Sequence, residues 1–214
     1  MNTGTRRNDE RTIAGSHRRM RRVDREVTDP QEIHSIIDAA HVVNVAYSDA
    51  EGLTVVPVDF GYEWSEPARL ADANAASIAQ PRLVMYLHSS PIGRKADALR
   101  AAGERGLNVS FDLIADGSQT IPGRTLCNWG RAYASVVGTG TATIVSDVNE
   151  AAHGLSLLMA HEAGMADGAG ATTATFTEQQ VRSVMVWRID VDVFTAKRRP
   201  MPPERRHVPL PDSD

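Results

Sequence analysis

Leu83-Val84-Met85-Tyr86-Leu87-His88 runs directly into Ser89-Ser90-Pro91-Ile92-Gly93-Arg94-Lys95. An apolar run of strand length ends there in two hydroxyl residues, a Pro/Gly turn and two adjacent cations. Hydroxyls and turn N–H groups donate hydrogen bonds, arginine adds a planar fork and lysine a point charge, a set that suits a phosphate. The same residue types also fit a solvated turn with a charge pair at a helix start, and both readings stand at this level. Lys95 carries extra weight because Lys197 is the only other lysine and arginine supplies the remaining cations.

Upstream, Asp29-Pro30-Gln31-Glu32 reads as a helix start, with Ile33, Ile36, Ile37 and Ala40 on one face and an end near His41. Val42 to Tyr47, the polar turn Ser48 to Gly52 and Leu53 to Tyr62 then read as a hairpin. Pro57 inside the second strand marks an edge, a bulge or a place where something other than a strand lies beside the backbone. Residues 65–80 are rich in Ala and polar groups without a period and read as a surface insertion.

Downstream, Lys95 to Ala102 predicts a short helix closed by Gly103, and Leu107 to Ile114 a strand. Asp116 to Gly130 is a long loop holding Gly and Pro, of the kind that carries function. Tyr133 to Val145 predicts a long strand in which Gly138, Gly140 and Ala142 leave one side almost bare, as a tightly coiled barrel strand requires. Asp147 opens a second long helix, residues 165–175 form a Gly/Ala/Thr loop, and Val181 to Lys197 reads as the last strand. About six strands and three helices, joined by hairpins or short helices, favour a small closed barrel over an open parallel sheet.

The 214 residues suit one domain with tails: an arginine-rich arm at 1–19, a folded unit at 20–199 and a Pro-rich tail at 200–214. The arm lacks an apolar segment after its arginines, so it reads as a disordered, solvated tail, not an export signal. The net charge of −4 gives no overall pull toward nucleic acid, and no run approaches the ~18 apolar residues of a spanning helix. Cys127 is the single cysteine, which rules out an intramolecular disulfide and a Cys-rich zinc site and sets a reducing, cytoplasmic location as the expectation. Gly138-Thr139-Gly140 lies mid-strand with no helix after it, so it is not a dinucleotide loop. His161-Glu162 lacks the second zincin histidine, because Met165 stands there, and His153 and His161 lie about 12 Å apart along a helix. No metal site is expected, and no G-x-S-x-G nucleophile motif exists.

Taken in order, several motifs resemble the FMN-binding split barrels of the pyridoxamine 5′-phosphate oxidase-like superfamily, and within it the 5-nitroimidazole reductase (Nim) family. They are Met20 to Val27, Val56-Pro57-Val58-Asp59-Phe60-Gly61-Tyr62-Glu63, and Tyr86-Leu87-His88-Ser89-Ser90 with Gly93-Arg94-Lys95. Cys127-Asn128-Trp129 with Tyr133 to Gly140 follows, and then Val186-Trp187-Arg188-Ile189 with Thr195-Ala196-Lys197. The insertion before Arg82 is longer than in that family. Arg205-Arg206-His207 is only superficially similar to the substrate-binding end of the oxidase proper, which disfavours pyridoxamine phosphate as substrate.

The resemblance implies a mainly β (α+β) fold, a six-stranded split β-barrel with flanking short helices that works as a homodimer and binds FMN between its subunits. It implies that Arg94 and Lys95 take the phosphate with Ser89 and Ser90 donating, and that the backbone of Val56, Pro57 and Val58 lies beside the flavin ring. Ser135 would reach the phosphate or ribityl chain, and Trp187 would pack near the ring. His88 would be the catalytic donor to a nitro oxygen, against the plain alternative of a strand-end histidine satisfied by backbone. Cys127 reads more simply as a small buried apolar residue than as a site residue. The implied activity is FMN-mediated reduction of nitro groups of the 5-nitroimidazole type or of a related small molecule, with NAD(P)H or a partner protein as electron donor. The alternative is a non-catalytic split barrel that binds or senses FMN or haem.

Overall fold

The computed structural model describes residues 20–66, 81–117, 119–163 and 176–203. The arginine-rich arm 1–19, residues 67–80 of the expected insertion, the 165–175 loop and residues 204–214 with Arg205-Arg206-His207 lie outside the described residues.

The strands are β1 (Glu26–Val27), β2 (Val42–Asp49), β3 (Gly52–Ser65), β4 (Arg82–Ser89), β5 (Leu107–Asp116), β6 (Thr120–Ile121), β7 (Gly130–Arg131), β8 (Tyr133–Ile144) and β9 (Met185–Arg199). The helices are α1 (Pro30–Asp38), α2 (Arg94–Ala102), α3 (Val148–Glu162) and α4 (Glu178–Arg182). The main sheet runs β1-β9-β4-β3-β2-β5-β8 and closes through β8–β9, so six long antiparallel strands make the expected barrel. β4 pairs only Phe60 to Ser65 of β3 and Met185 to Asp190 of β9. The first half of β3 and the second half of β9 therefore share no neighbour, and β1 takes the β9 side at Lys197 and Ala196. That divergence is the split in the barrel.

Local chemistry explains most boundaries. Asp29 caps α1 by accepting from the Gln31 N–H, and Asp147 caps α3 by accepting from the Glu150 N–H. α1 stops at Asp38, short of His41, because the Ala39 N–H turns back to Ser35 and Ile37 carbonyls and Val42 already begins β2. The expectation of strand from Val181 is corrected. Thr177 and Gln180 form a reciprocal capping box, so Val181 sits buried in α4 and the strand starts at Met185.

The main core fills the barrel, with Trp187, Phe60, Met85, Leu87, Leu113 and Ile189 among its most buried side chains. The bare side of β8 is used as expected: a Cβ on Gly138 would lie 2.6 Å from the Phe111 ring, and one on Gly140 2.5 Å from the Asp190 carbonyl. α3 lies on the outer surface of β3 and β4, where Gly61 admits the backbone of Leu157 and Leu158 and Gly154 admits the Tyr86 ring. Buried His161 fixes this helix, its Nδ1 2.6 Å from the Phe60 carbonyl and its Nε2 3.1 Å from the Asp38 carbonyl. A second small core under α3 joins Ala151, Leu155, Val181 and Val186.

Candidate functional site

Beyond Phe60 the pairing of β3 with β4 stops, so residues 53–59 have β2 on one side and, among the described residues, no strand on the other. Pro57 stands in that stretch opposite Asn44, where a missing N–H withholds nothing from a neighbouring strand. Val56 and Val58 are half-buried and packed on the core, while Pro57 points outward. The open edge leads to the end of β4 and the turn before α2.

That turn is tied to the hairpin by Arg94. Its guanidinium makes a two-pronged bond to Asp49, Nε to Oδ2 at 2.8 Å and Nη2 to Oδ1 at 2.7 Å, and Nη2 also donates to the Gly52 carbonyl at 2.9 Å. Bonding to Arg94 holds the Asp49 carboxyl below its usual range, and the same bond raises Arg94. Arg94 is thus engaged by its own chain, a role invisible in sequence because Asp49 is far upstream. Lys95 differs. It has no carboxylate partner among the described residues, and its Nζ lies 5.3 Å from the Trp187 ring centroid. Burial pushes its ammonium below the ordinary lysine value.

Among the described residues, four buried side-chain atoms make no hydrogen bond: Trp187 Nε1, in the ring beside this lysine, Ser89 Oγ and His88 Nδ1 at the end of β4, and Trp64 Nε1 further along β3. Such atoms cost roughly 1–3 kcal/mol each when left unsatisfied, so each calls for a partner that the described residues do not supply. Register separates their directions. Leu87 pairs with Trp187 and Ser89 with Met185 on the barrel-facing side, whereas His88 pairs with Val186 and faces outward like Asp59 and Pro57. Ser90 is exposed, and its hydroxyl accepts the Ile92 N–H at 3.3 Å within the turn.

Ser135 is not in this group. It pairs with Ile114 and Lys197 on the outer face of β8, three strands from β3, roughly 14 Å around the barrel at ~4.8 Å per strand. The outer face it shares carries several exposed apolar side chains, Leu53, Val55, Ile114 and Val137 all more than half exposed and Val42 42% exposed, interleaved with Asn44, Asp59, Ser110 and Asp112. Cys127 is exposed on the 3₁₀ turn Leu126–Asn128, which corrects the reading of a buried apolar residue. Trp129 is 38% exposed in the same loop.

A second polar group was not singled out from sequence. The Tyr62 hydroxyl donates to Asp38 Oδ1 at 3.0 Å and lies 3.0 Å from His34 Nε2, while the His34 ring stacks on Trp64. Burial and then the Asp38 charge raise the Tyr62 phenol well above its usual value. His34 and Asp38 are four apart on α1, which was the available signal; Tyr62 comes from a different element. Among the described residues no group of three His, Cys, Asp or Glu gathers, and no helix is long and apolar enough to cross a membrane.

A family model described as pyridoxamine 5′-phosphate oxidase matches residues 29–198, and the chain belongs to that family. The solved structures it is similar to include a candidate 5-nitroimidazole antibiotic resistance protein from Bacteroides thetaiotaomicron. The two are 27% identical with a TM-score of 0.57, over 80% of this chain and 85% of that one. An FAD and haem binding protein from Mycobacterium smegmatis matches with a TM-score of 0.60 at 16% identity, over 84% of this chain and 76% of that one. The flavocytochrome Anf3 from Azotobacter vinelandii matches at 0.56 and 19% identity, over 91% and 86%. No curated protein matches the chain. At the two lower identities the likeness concerns the fold.

Proposed function

We propose that this chain is a flavin-dependent oxidoreductase that binds FMN at the end of β4 and reduces nitro groups of the 5-nitroimidazole type or a related small acceptor. The observation that carries the reading is the set of unpartnered buried atoms on the paired ends of β4 and β9, with Ser89 Oγ and Trp187 Nε1 on the barrel side, His88 Nδ1 on the outer side, and Lys95, a lysine without a carboxylate, beside the Trp187 ring. The donor set fits a phosphorylated ligand: Lys95 and Ser89 hold the oxyanion tail from the barrel side, with the exposed Ser90 turn beside them. Arg94 contributes by fixing that turn to the hairpin. The open edge of β3 at Val56 to Val58 offers backbone groups to a planar ring. Bound flavin would supply the redox chemistry, passing two electrons at a time to the acceptor. His88, on the outer side, would donate a hydrogen bond where negative charge develops on a nitro oxygen.

The site is completed in this reading by a second copy of the chain. The exposed apolar wall of Val55, Ile114 and Val137 is the surface such a copy would cover, and Ser135 sits on it, out of reach of Lys95 in the same chain. The Bacteroides structure lends support through its description as a nitroimidazole resistance protein, and the mycobacterial and Azotobacter neighbours through a flavin named in one and a flavocytochrome in the other.

An absorbance spectrum of the purified chain tests this. The expected result is a flavin spectrum, lost in the Lys95→Ala, Ser89→Ala double variant, and nitroimidazole reduction when a reductant such as NADPH or dithionite is added. His88→Asn should retain flavin and reduce the nitro group at least tenfold more slowly. Protein that stays colourless with added FMN overturns the reading. Protein that binds flavin or haem yet turns over no nitro compound with any donor supports the sensing alternative.

A further inference from the structure

On the far side of β9 from the barrel core, a cavity of about 300 Å³ opens between the ends of β8 and β9, α3, α4 and the turn at Pro91. Its size is at the lower edge of small-ligand sites. Ile144, Val148, Val181, Val184 and Val186 form its apolar walls beside Ser146, and among the described residues Arg100 and Arg182 are the only charged ones lining it, with no carboxylate. The carboxylate partners of both arginines are exposed, Asp97 for Arg100 at 3.4 Å and Glu178 for Arg182 at 2.7 Å. Exposed pairs of this kind are worth about 0–1 kcal/mol, so a ligand anion can compete for each guanidinium. Arg100 also donates to the Pro91 carbonyl, which positions its side chain along the rim.

A cavity with valine and isoleucine walls and two lining arginines selects for one chemistry. We propose that this cavity binds a small organic carboxylate with a short aliphatic or aromatic body, the body between α3 and α4 and the carboxylate at Arg100 and Arg182. A neutral hydrocarbon would leave the arginines unused, and a cation would meet two like charges. A bare inorganic anion would forgo the burial that the valine walls offer. The cavity lies at the strand pairs His88–Val186 and Ser89–Met185, so the residues of the corner and those of the chamber are backbone neighbours across β4 and β9. The inference stands on the cavity and its charges and does not require flavin.

Calorimetric titration of the full chain, without added flavin, with octanoate and with octylamine tests it. The expected result is saturable octanoate binding and at least tenfold weaker octylamine binding, since both carry the same body and opposite charge. Arg100→Gln with Arg182→Gln should weaken octanoate at least tenfold while leaving the thermal midpoint within a few degrees, because both side chains are exposed. Val184→Phe, which fills the chamber, should weaken octanoate even with the arginines present. Equal binding of the two amphiphiles, an unchanged arginine double variant, or no saturable binding at millimolar octanoate overturns the proposal. Flavin content measured on the same samples reports separately on the β4 corner.

Discussion

Lys95 Nζ stands 5.3 Å from the centroid of the Trp187 ring, with no carboxylate near it among the described residues. A cation over an aromatic face at that distance gains about 0.5–1 kcal/mol, while burial of the ammonium works the other way. The lowered ammonium pKa fixes the sign: the cost of burying the charge is fully present at neutral pH and is relieved as pH rises toward the ordinary lysine value of about 10.4. A charge held against this cost is the arrangement expected where function, not folding, keeps the residue.

Lys95→Met keeps an apolar stem on Trp187 and removes the charge. We expect the ligand-free variant to unfold within a few degrees of the parent, or slightly above it, while its flavin affinity falls at least tenfold. Thermal scans and flavin titration on the same preparation check this. A variant that binds flavin like the parent would remove Lys95 from the site.

Arg94 predicts the opposite pattern. Its fork holds Asp49 and the Gly52 carbonyl, and the Asp49 side chain is only 13% exposed. Arg94→Ala and Asp49→Ala should each lower the thermal midpoint, and the double variant should be little worse than either, as a shared bond requires. Asp49's carboxyl is held below its usual value, so the contribution is present above the ordinary carboxylate range and is lost as pH falls below about 3.9. The gap between parent and Asp49→Ala should therefore close in melts carried to acid pH.

Periodicity and capping signals revealed most of the fold, and pairings between distant residues supplied what they did not. Asp29 and Asp147 announce their helices, and the small residues of β8 announce the coil of the barrel, because those signals are local. α4 was hidden for a physical reason: five residues give too few turns for a 3.6-residue pattern, and Val181, Met185 and Trp187 share parity with the strand that follows. The strand end, turn and helix start of the corner were legible in the run from Leu83 to Lys95. The partner of Arg94 was not, since a hairpin tip and a helix start meet only after the barrel closes. Nor was the isolation of Ser135, which depends on how many strands separate it from β3.

Gly61 is a test of the fold's assembly. A Cβ there would fall against the Leu158 backbone closer than non-bonded atoms approach, so Gly61→Ala must push α3 off the sheet. Destabilisation of about 1–3 kcal/mol is expected from such overpacking, read as a lowered denaturant midpoint with little change of slope. Gly52→Ala is the control at a turn: nothing crowds that position, and only its φ of +104° opposes a side chain. A Gly61→Ala protein as stable as the parent would mean that α3 does not pack on β3 as described.

The apolar wall yields the prediction on which the two-copy site depends. Val55, Ile114 and Val137 are 60%, 56% and 52% exposed on one face of β3, β5 and β8, and Ser135 stands beside Val137 on that face. Val137→Glu changes an exposed side chain whose cross-strand partner is Asp112, so the isolated barrel should lose no more than about 1 kcal/mol. Across a buried symmetric interface the same change places two carboxylates in an apolar contact, which association cannot tolerate. Sedimentation should show the parent as a dimer and Val137→Glu as a monomer, and the flavin content should fall with the dimer. If the parent sediments as a monomer while carrying bound flavin, Ser135 has no part in the site and the wall must be explained by some other partner.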